Sequence, residues 1–171
     1  MYFGKNWAMM KLSFFPTILF FLLQGCAATP VPGTLFEPEN PPTEMQSLLY
    51  IYRPDVPALS PRTTTIYIND EKLAVLSNES YTLVKLSPRT YRIEQMWDLW
   101  PGDFEWLKEH KIIDLTLDAG KTQFLELKVV DESLFKASWS LWVVPPSAGL
   151  ARISSLKRQE TESEKKLRLN Y

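Results

Sequence analysis

The chain is poor in the side chains on which most enzymes depend, because its 171 residues include one cysteine and one histidine. Nucleophilic triads need a base beside a serine or cysteine, and metal sites usually draw on several histidines or cysteines. The histidine, His110, stands between Glu109 and Lys111, a charged setting typical of a solvated side chain. We therefore expect no metal, no cofactor and no catalytic residue, and we predict that the protein is not an enzyme.

Glycine and positive charge are also scarce. None of the six glycines belongs to a phosphate-binding loop. The formal net charge is −1, and it falls to −3 when residues 1–25, with two lysines and no acidic residue, are removed. Proteins that bind nucleic acid carry a basic surplus, so we exclude nucleic acid as a partner. The strand signals do not alternate with helical patterns, which excludes a parallel α/β fold.

The one extended apolar segment is short. It covers residues 12–23, is interrupted by Pro16, and falls below the about 20 residues that span a bilayer. Lys5 and Lys11 precede it without any acidic residue, as in a secretory signal. The segment therefore indicates export.

The apolar segment ends at Leu23-Gln24-Gly25-Cys26, which contains the only cysteine. An aliphatic residue three positions before the cysteine and a small residue next to it are features of a bacterial lipobox, in which the thiol is acylated. We predict that residues 1–25 are a lipoprotein signal peptide and that Cys26 carries palmitate-like chains, which makes membrane lipid the first partner. A secretory signal with an incidental cysteine and an uncleaved anchor are the alternatives.

The residue after the cysteine bears on location. Ala27 is not the aspartate typical of retention in the inner membrane of a Gram-negative cell. We therefore expect a lipid-anchored protein of the cell envelope, at the outer membrane and facing the periplasm.

Residues 26–46 contain the lipidated cysteine and five prolines, and we interpret them as a tether. Proline-rich chain extends by about 3.1 Å per residue, which predicts a reach of roughly 60 Å from the bilayer. Leu35 and Phe36 are the exception, because two adjacent large apolar side chains in a linker usually pack on something. The folded domain itself is the simplest such surface.

Residues 47–157 consist mainly of short β-branched and aromatic runs separated by turn signals. The pattern predicts an all-β, mainly antiparallel β-sandwich of roughly seven to eight strands with a short C-terminal helix. Residues 48–53 are apolar on both faces, which predicts a central strand covered on both sides. The helix is expected after Pro145-Pro146, with Leu150, Ile153 and Leu156 facing inward, and residues 158–171 form a charged tail.

Three turns are predicted to join neighbouring strands into β-hairpins, at residues 69–70, 87–90 and 118–121. The first is the clearest, because Asn69 and Asp70 both tolerate the left-handed backbone of a tight turn.

Residues 97–106 interrupt the strand pattern and hold four large aromatic side chains, Trp97, Trp100, Phe104 and Trp106. Exposed to solvent, they would anchor a protein partner, a glycan strand or a membrane interface. Folded back, they would cover the end of the sandwich, and both alternatives stay open. Arg53, which ends a strand, is a further candidate binding residue; its alternative partner is a local carboxylate or carbonyl.

Three carboxylates lie in or beside the same loop, at Asp98, Asp103 and Glu105. Glycoside hydrolysis needs two carboxylates flanking a sugar, so these residues make an envelope hydrolase an alternative function. Their spacing along the chain does not set the distance between any two of them.

Several motifs resemble an uncharacterised bacterial lipoprotein family, the domain of unknown function 2846. They are Tyr-Ile-Tyr-Arg-Pro at residues 50–54, the segment 66–76, Tyr81, and Leu-Ser-Pro at residues 86–88. The resemblance covers about residues 46–157 and implies a β-sandwich related to carbohydrate-adjacent and carrier-type domains, without catalytic residues. Asp70 and Arg89 depart from the family pattern, which favours glycine at both turns.

Together these features predict an envelope lipoprotein whose β-sandwich is a non-catalytic binding or assembly module. Its partner would be an envelope protein or peptidoglycan. A peptidoglycan- or glycan-binding lipoprotein that uses residues 97–106 is the first alternative, and the hydrolase is the second.

Overall fold

The computed structural model describes residues 33–99, 101, 108–133 and 136–169. Its strands are β1 (Thr34–Leu35), β2 (Ser47–Arg53), β3 (Thr64–Ile68), β4 (Glu71–Leu76), β5 (Ser80–Leu86), β6 (Thr90–Trp97), β7 (Lys111–Thr116), β8 (Thr122–Ser133), β9 (Lys136–Val144) and β10 (Lys157–Arg158). A 3-10 turn covers Pro57–Leu59, and two helices follow β9 in the chain, α1 (Pro146–Ile153) and α2 (Glu162–Leu169).

The strands form two sheets that pack face to face. The six-stranded sheet has the order β1-β10-β5-β2-β8-β9, and the four-stranded sheet has the order β4-β3-β6-β7. Apolar side chains from both sheets form the inner core between them. The predicted all-β sandwich is confirmed, with ten strands rather than seven or eight in the described residues. Most neighbouring strands are antiparallel, whereas β2 with β8 and β10 with β5 are parallel.

Strand β2 is the centre of the six-stranded sheet, and every one of its residues is buried. Leu49 and Ile51 face the inner core, while Leu48, Tyr50 and Tyr52 belong to a second apolar cluster on the outer face of the same sheet. The prediction of a central strand covered on both sides is confirmed. The outer cover consists of α1 and the segment around Phe36.

The hairpin between β3 and β4 is confirmed, and its turn has the predicted left-handed backbone. Asn69 has φ 48° and Asp70 has φ 67°, as a type I′ turn requires at both central residues. The turn is also fixed to the neighbouring strand β6, because Asn69 N donates to the Arg92 carbonyl and Arg92 N donates to Asn69 Oδ1.

Substitutions at Asp70 are expected to change stability in opposite directions. Asp70→Gly should raise the free energy of unfolding by about 0.5 kcal/mol, because glycine adopts a positive φ without steric cost. Asp70→Ala should lower it by about 1 kcal/mol, because a Cβ opposes the left-handed conformation. Urea unfolding of both variants checks the prediction. Equal effects of glycine and alanine would contradict it.

The two other predicted hairpins are wrong, because their strands lie in different sheets. β5 belongs to the six-stranded sheet and β6 to the four-stranded sheet, and the same holds for β8 and β7. Residues 87–90 and 118–121 therefore cross from one sheet to the other. Both crossings are fixed at the same end, since Leu117 N donates to the Arg89 carbonyl. Alternation of apolar residues marks a strand, but it does not distinguish a hairpin from a corner of the sandwich.

The folded domain extends beyond residues 47–157 on both sides. β1 lies in the predicted tether and pairs with β10, which crosses into the predicted tail and pairs with β5. The tail continues as α2. Phe36 packs on the domain, as expected, whereas Leu35 is exposed.

The predicted helix after Pro145 begins at Pro146, where the missing N–H of proline costs no hydrogen bond. Ile153 and Leu156 are buried as predicted, but Leu150 is 46% exposed. Helices of the described residues are too short or too polar to cross a membrane.

Candidate functional site

The outer face of the six-stranded sheet carries two parallel rows of side chains beneath α1. Strand register places Leu83, Tyr50, Phe124 and Val144 side by side in one row. The neighbouring row contains Tyr81, Tyr52, Glu126 and Trp142. The first row is apolar or aromatic, and the second introduces a carboxylate and a half-exposed indole. Polar chemistry on this face is therefore concentrated around Glu126.

Helix α1 approaches the sheet closely because Gly149 has no side chain. A Cβ added at this position would overlap the ring of Phe124. The close approach lets Ile153, which is fully buried, complete the outer apolar cluster. It also brings Arg152, in the last turn of α1, over Glu126.

Gly149→Ala is expected to destabilise the protein, although alanine normally favours a helix over glycine by about 1 kcal/mol. Overlap with Phe124 forces α1 away from the sheet, and overpacking of this kind costs about 1–3 kcal/mol. Urea unfolding should show the loss, and the loss should shrink when Phe124→Leu is combined with it. Ala151→Gly, an exposed change in the same helix, is the control and should cost about 1 kcal/mol. A stabilising effect of Gly149→Ala would refute the packing argument.

A pocket of about 350 Å³ opens beside α1. We call it the outer pocket; its lining includes Tyr52, Asp55, Glu79, Glu126 and Arg152. Tyr52 Oη donates to Glu126 Oε2 at 2.7 Å, and Arg152 Nη1 donates to the same oxygen. Glu126 is 5% exposed, whereas the Arg152 side chain is 53% exposed. A buried carboxylate thus holds a guanidinium at the pocket mouth.

Burial, and then the hydrogen bond to Glu126, raise the pKa of Tyr52. The Tyr52 hydroxyl therefore stays protonated at neutral pH and donates a hydrogen bond. The Tyr52 hydroxyl and the Glu126 carboxylate in turn raise the pKa of Arg152. Tyr52 and Arg152 therefore both stay protonated and act as hydrogen-bond donors to Glu126.

Two further carboxylates make the outer pocket acidic. Asp55 Oδ1 accepts a hydrogen bond from Asn78 Nδ2 at 2.5 Å, and Asn78 Oδ1 accepts from Val56 N at 2.9 Å. Glu79 has a left-handed backbone, with φ 52°, which is uncommon for a residue with a long side chain. Glu126 also lines the pocket, and among the residues that the structure describes Arg152 is the only cation in its lining. The pocket therefore favours a positively charged group.

A second opening, the aromatic cleft, lies on the other side of α1 and has a volume of about 320 Å³. Its lining includes Phe36, Leu48, Tyr50, Phe124 and Leu150. The rings of Tyr50 and Phe124 are stacked, with centroids 5.1 Å apart and planes 7° from parallel. The ring centroids of Phe36 and Tyr50 are 6.0 Å apart. Phe36, which lies in the segment predicted to be a tether, therefore forms one wall of the cleft.

No family model matches this chain, and no curated protein matches it. The sites are therefore interpreted from their own geometry. The resemblance to the domain of unknown function 2846 stays a proposal that rests on the quoted strand and turn motifs.

Two of the predicted binding residues are described, and both are buried. Trp97 is 4% exposed and lies in the inner core, and Arg53 is fully buried beside it, with its guanidinium carbon 4.8 Å from the Trp97 ring centre. Arg53 donates to the Leu59 and Arg62 carbonyls. Neither side chain is offered to solvent. The other predicted residues, Trp100, Phe104, Trp106, Leu23, Gln24, Gly25 and Cys26, lie outside the described part of the chain.

The remaining candidate groups that the structure describes, Asp98 and His110, lie away from the outer pocket. Asp98 accepts hydrogen bonds from Thr63 Oγ1 and, at 3.1 Å, from Thr65 Oγ1. Asp103 and Glu105 lie outside the described residues. His110 Nδ1 is 2.6 Å from Glu94 Oε1, on the outer face of the four-stranded sheet and away from the outer pocket. The described residues contain no group of three or more potential metal ligands.

The sequence interpretation missed the trio of Tyr52, Glu126 and Arg152. One signal was present: Glu126 stands between Leu125 and Leu127 in an apolar strand, where a charge is expensive unless it is paired. Its partners are 74 and 26 residues away in the chain, so local patterns do not identify them.

Proposed function

We propose that the chain is a lipid-anchored protein of the bacterial cell envelope and that its β-sandwich is a non-catalytic binding or assembly module. The observation that carries the proposal is the position of the only cysteine, which closes an apolar segment at Leu23-Gln24-Gly25-Cys26. Acyl chains on Cys26 insert into the membrane, and Ala27 favours the outer membrane with the domain in the periplasm. Two or more long chains make such an anchor stable.

Labelled palmitate tests the anchor. The wild-type chain should incorporate the label and sediment with membranes, and Cys26→Ser should lose both properties. Gln24→Ala is the matched control, because it changes the lipobox filler and keeps the thiol. Equal labelling of the wild type and Cys26→Ser would rule the anchor out.

The outer pocket supports the binding part of the proposal. The pocket contains the buried carboxylate of Glu126, which hydrogen bonds hold in place. Two more carboxylates, Asp55 and Glu79, lie at its opening. Clefts lined by charge of one sign attract ligands of the opposite sign. We assign it to a basic group of an envelope partner, such as a lysine or arginine side chain.

Photo-crosslinking in cells tests this assignment. A crosslinker at Ser155, an exposed residue at the pocket, should capture a discrete partner, and Glu79→Gln should weaken the capture several-fold. A crosslinker at Asp114, on the outer face of the four-stranded sheet, and the exposed change Glu71→Gln are the controls. Capture that is equal from both positions would count against the pocket.

Glycan binding is the second candidate, favoured by the proximity in sequence of Trp100, Phe104 and Trp106. Pull-down with purified cell wall separates it from a protein-binding role. Retention by cell wall that is lost in Trp100→Ala and Trp106→Ala would favour glycan. The hydrolase alternative requires an activity that disappears when Asp98, Asp103 or Glu105 is replaced.

A further inference from the structure

The carboxylate of Glu126 uses only one of its two oxygens within the fold. Tyr52 Oη and Arg152 Nη1 both donate to Oε2, and none of the residues that the structure describes donates to Oε1. Glu126 is 5% exposed and lines the outer pocket. Because each carboxylate oxygen can accept two hydrogen bonds, the donors that Oε1 lacks have to come from the pocket.

The other walls of the outer pocket combine apolar surface with a second acceptor that is held in place. Pro54, Leu156 and Tyr52 provide the apolar surface. Asp55 lies among them, and Asn78, which is 7% exposed, donates to Asp55 Oδ1. Acceptors that are positioned before binding lower the entropy cost of holding a ligand. The pocket therefore suits a side chain with an apolar stem and several N–H donors at its end.

Arginine fits this description better than lysine. Its guanidinium presents five N–H donors in one plane and is weakly hydrated, whereas the lysine ammonium is a compact, strongly hydrated charge. Dehydration of the cation is required because Glu126 is buried. The chain itself shows that this carboxylate accepts a guanidinium, since Arg152 is bound to it. A free amino acid fits less well, because its own carboxylate would meet the acidic lining.

We infer that the outer pocket binds an arginine side chain of a partner protein through Glu126 Oε1, and that Arg152 competes with this arginine for the charge of Glu126. The inference rests on the binding role proposed for the outer pocket. The Arg152 side chain is 53% exposed, whereas that of Glu126 is 7% exposed. Water can solvate Arg152 when it leaves, but Glu126 needs a cation, so an incoming guanidinium can replace it.

NMR titration of the full chain in detergent micelles tests the inference, with the amide signal of Ser155 in the pocket lining as the reporter. The wild-type chain should bind Nα-acetyl-arginine amide about tenfold more tightly than Nα-acetyl-lysine amide. Arg152→Gln should bind the arginine amide at least about fivefold more tightly than the wild type, because the competing cation is gone.

Two variants that remove carboxylates should have the opposite effect. Glu126→Gln should weaken binding of the arginine amide about tenfold, and Glu79→Gln, at the opening of the pocket, should weaken it several-fold. Arg92→Gln is the control for Arg152→Gln, because it neutralises an exposed arginine on β6 of the other sheet. Its affinity for the arginine amide should equal that of the wild type.

Equal affinity for the two amides would overturn the preference for arginine. Weaker binding by Arg152→Gln would show that Arg152 belongs to the binding surface and does not compete for it. Free arginine that binds more tightly than its amide would assign the pocket to a small molecule and refute the protein partner. If no chain binds the arginine amide while Glu79-dependent crosslinking from Ser155 persists, this inference fails and the proposed function stands; loss of both refutes the proposed function as well.

Discussion

Arg53→Ala is expected to lower the free energy of unfolding by about 3–5 kcal/mol, because it removes a fully buried side chain that holds a loop in place. Arg53 Nη1 donates to the Arg62 carbonyl and Nη2 to the Leu59 carbonyl, each at 2.6 Å. Both acceptors lie in the loop between β2 and β3. Alanine leaves these carbonyls without their charged donors and leaves a cavity beside Trp97.

The charge of Arg53 alone does not explain its presence. No salt bridge joins it to a carboxylate of the described residues, and burial lowers the pKa of its guanidinium to about 10, so it is still a cation at neutral pH. Arg53→Lys keeps the positive charge, but it lacks the planar guanidinium that donates to two carbonyls and lies over an aromatic ring. We expect the lysine variant to lose about 2–4 kcal/mol.

Urea unfolding followed by tryptophan fluorescence measures these losses. Arg92→Ala, an exposed arginine on β6, is the control and should change stability by less than about 1 kcal/mol. Arg53→Met separates geometry from charge, since it fills much of the volume without donors. Unfolding of the methionine variant at wild-type urea concentrations would show that the carbonyl contacts do not hold the loop.

The elements that the sequence predicted well are those specified by local chemistry. Two adjacent residues that tolerate a left-handed backbone determine the turn at Asn69 and Asp70. The apolar character of both faces of β2 follows directly from its composition, and Pro145-Pro146 ends β9 where the ring removes a ladder donor. Each of these conclusions needs no information about distant parts of the chain.

The sheet to which each strand belongs was not predictable in this way. β5 and β6 have the strand–turn–strand appearance of a hairpin, but they lie in opposite sheets and both contribute apolar side chains to the inner core. The parallel pairing of β2 with β8 joins residues more than 70 positions apart. Such pairings depend on the complete set of apolar faces.

The candidate site was predicted least well, for a related reason. The high density of aromatic residues suggested a binding site at residues 97–106. Trp97, however, is buried in the inner core. The outer pocket instead forms around Glu126 of β8, where Tyr52 of β2 and Arg152 of α1 contact it. The tether was overestimated because proline content describes an isolated chain, whereas Gly33, β1 and Phe36 are held by partners from β10 and the outer cluster.

Alkaline pH is expected to destabilise the protein steeply, because three buried tyrosines resist ionisation. Burial raises the pKa of Tyr50, Tyr52 and Tyr81 above the ordinary value near 10, and the bond to Glu126 adds to the shift of Tyr52. Their contribution to stability is fully present below pH 10. Above pH 10 the unfolded chain releases protons that the folded chain keeps, so the free energy of unfolding falls as pH rises.

Each tyrosine contributes a slope of up to about 1.4 kcal/mol per pH unit. Arg53 acts in the opposite direction, since its lowered pKa makes the folded state release a proton that the unfolded state retains. Three tyrosines against one arginine give a net loss of at most about 3 kcal/mol per pH unit. Urea midpoints between pH 9 and pH 11.5 measure this loss. Tyr52→Phe should make the slope shallower, and Arg53→Met should make it steeper; the same slope in both variants would show that alkaline unfolding has another origin.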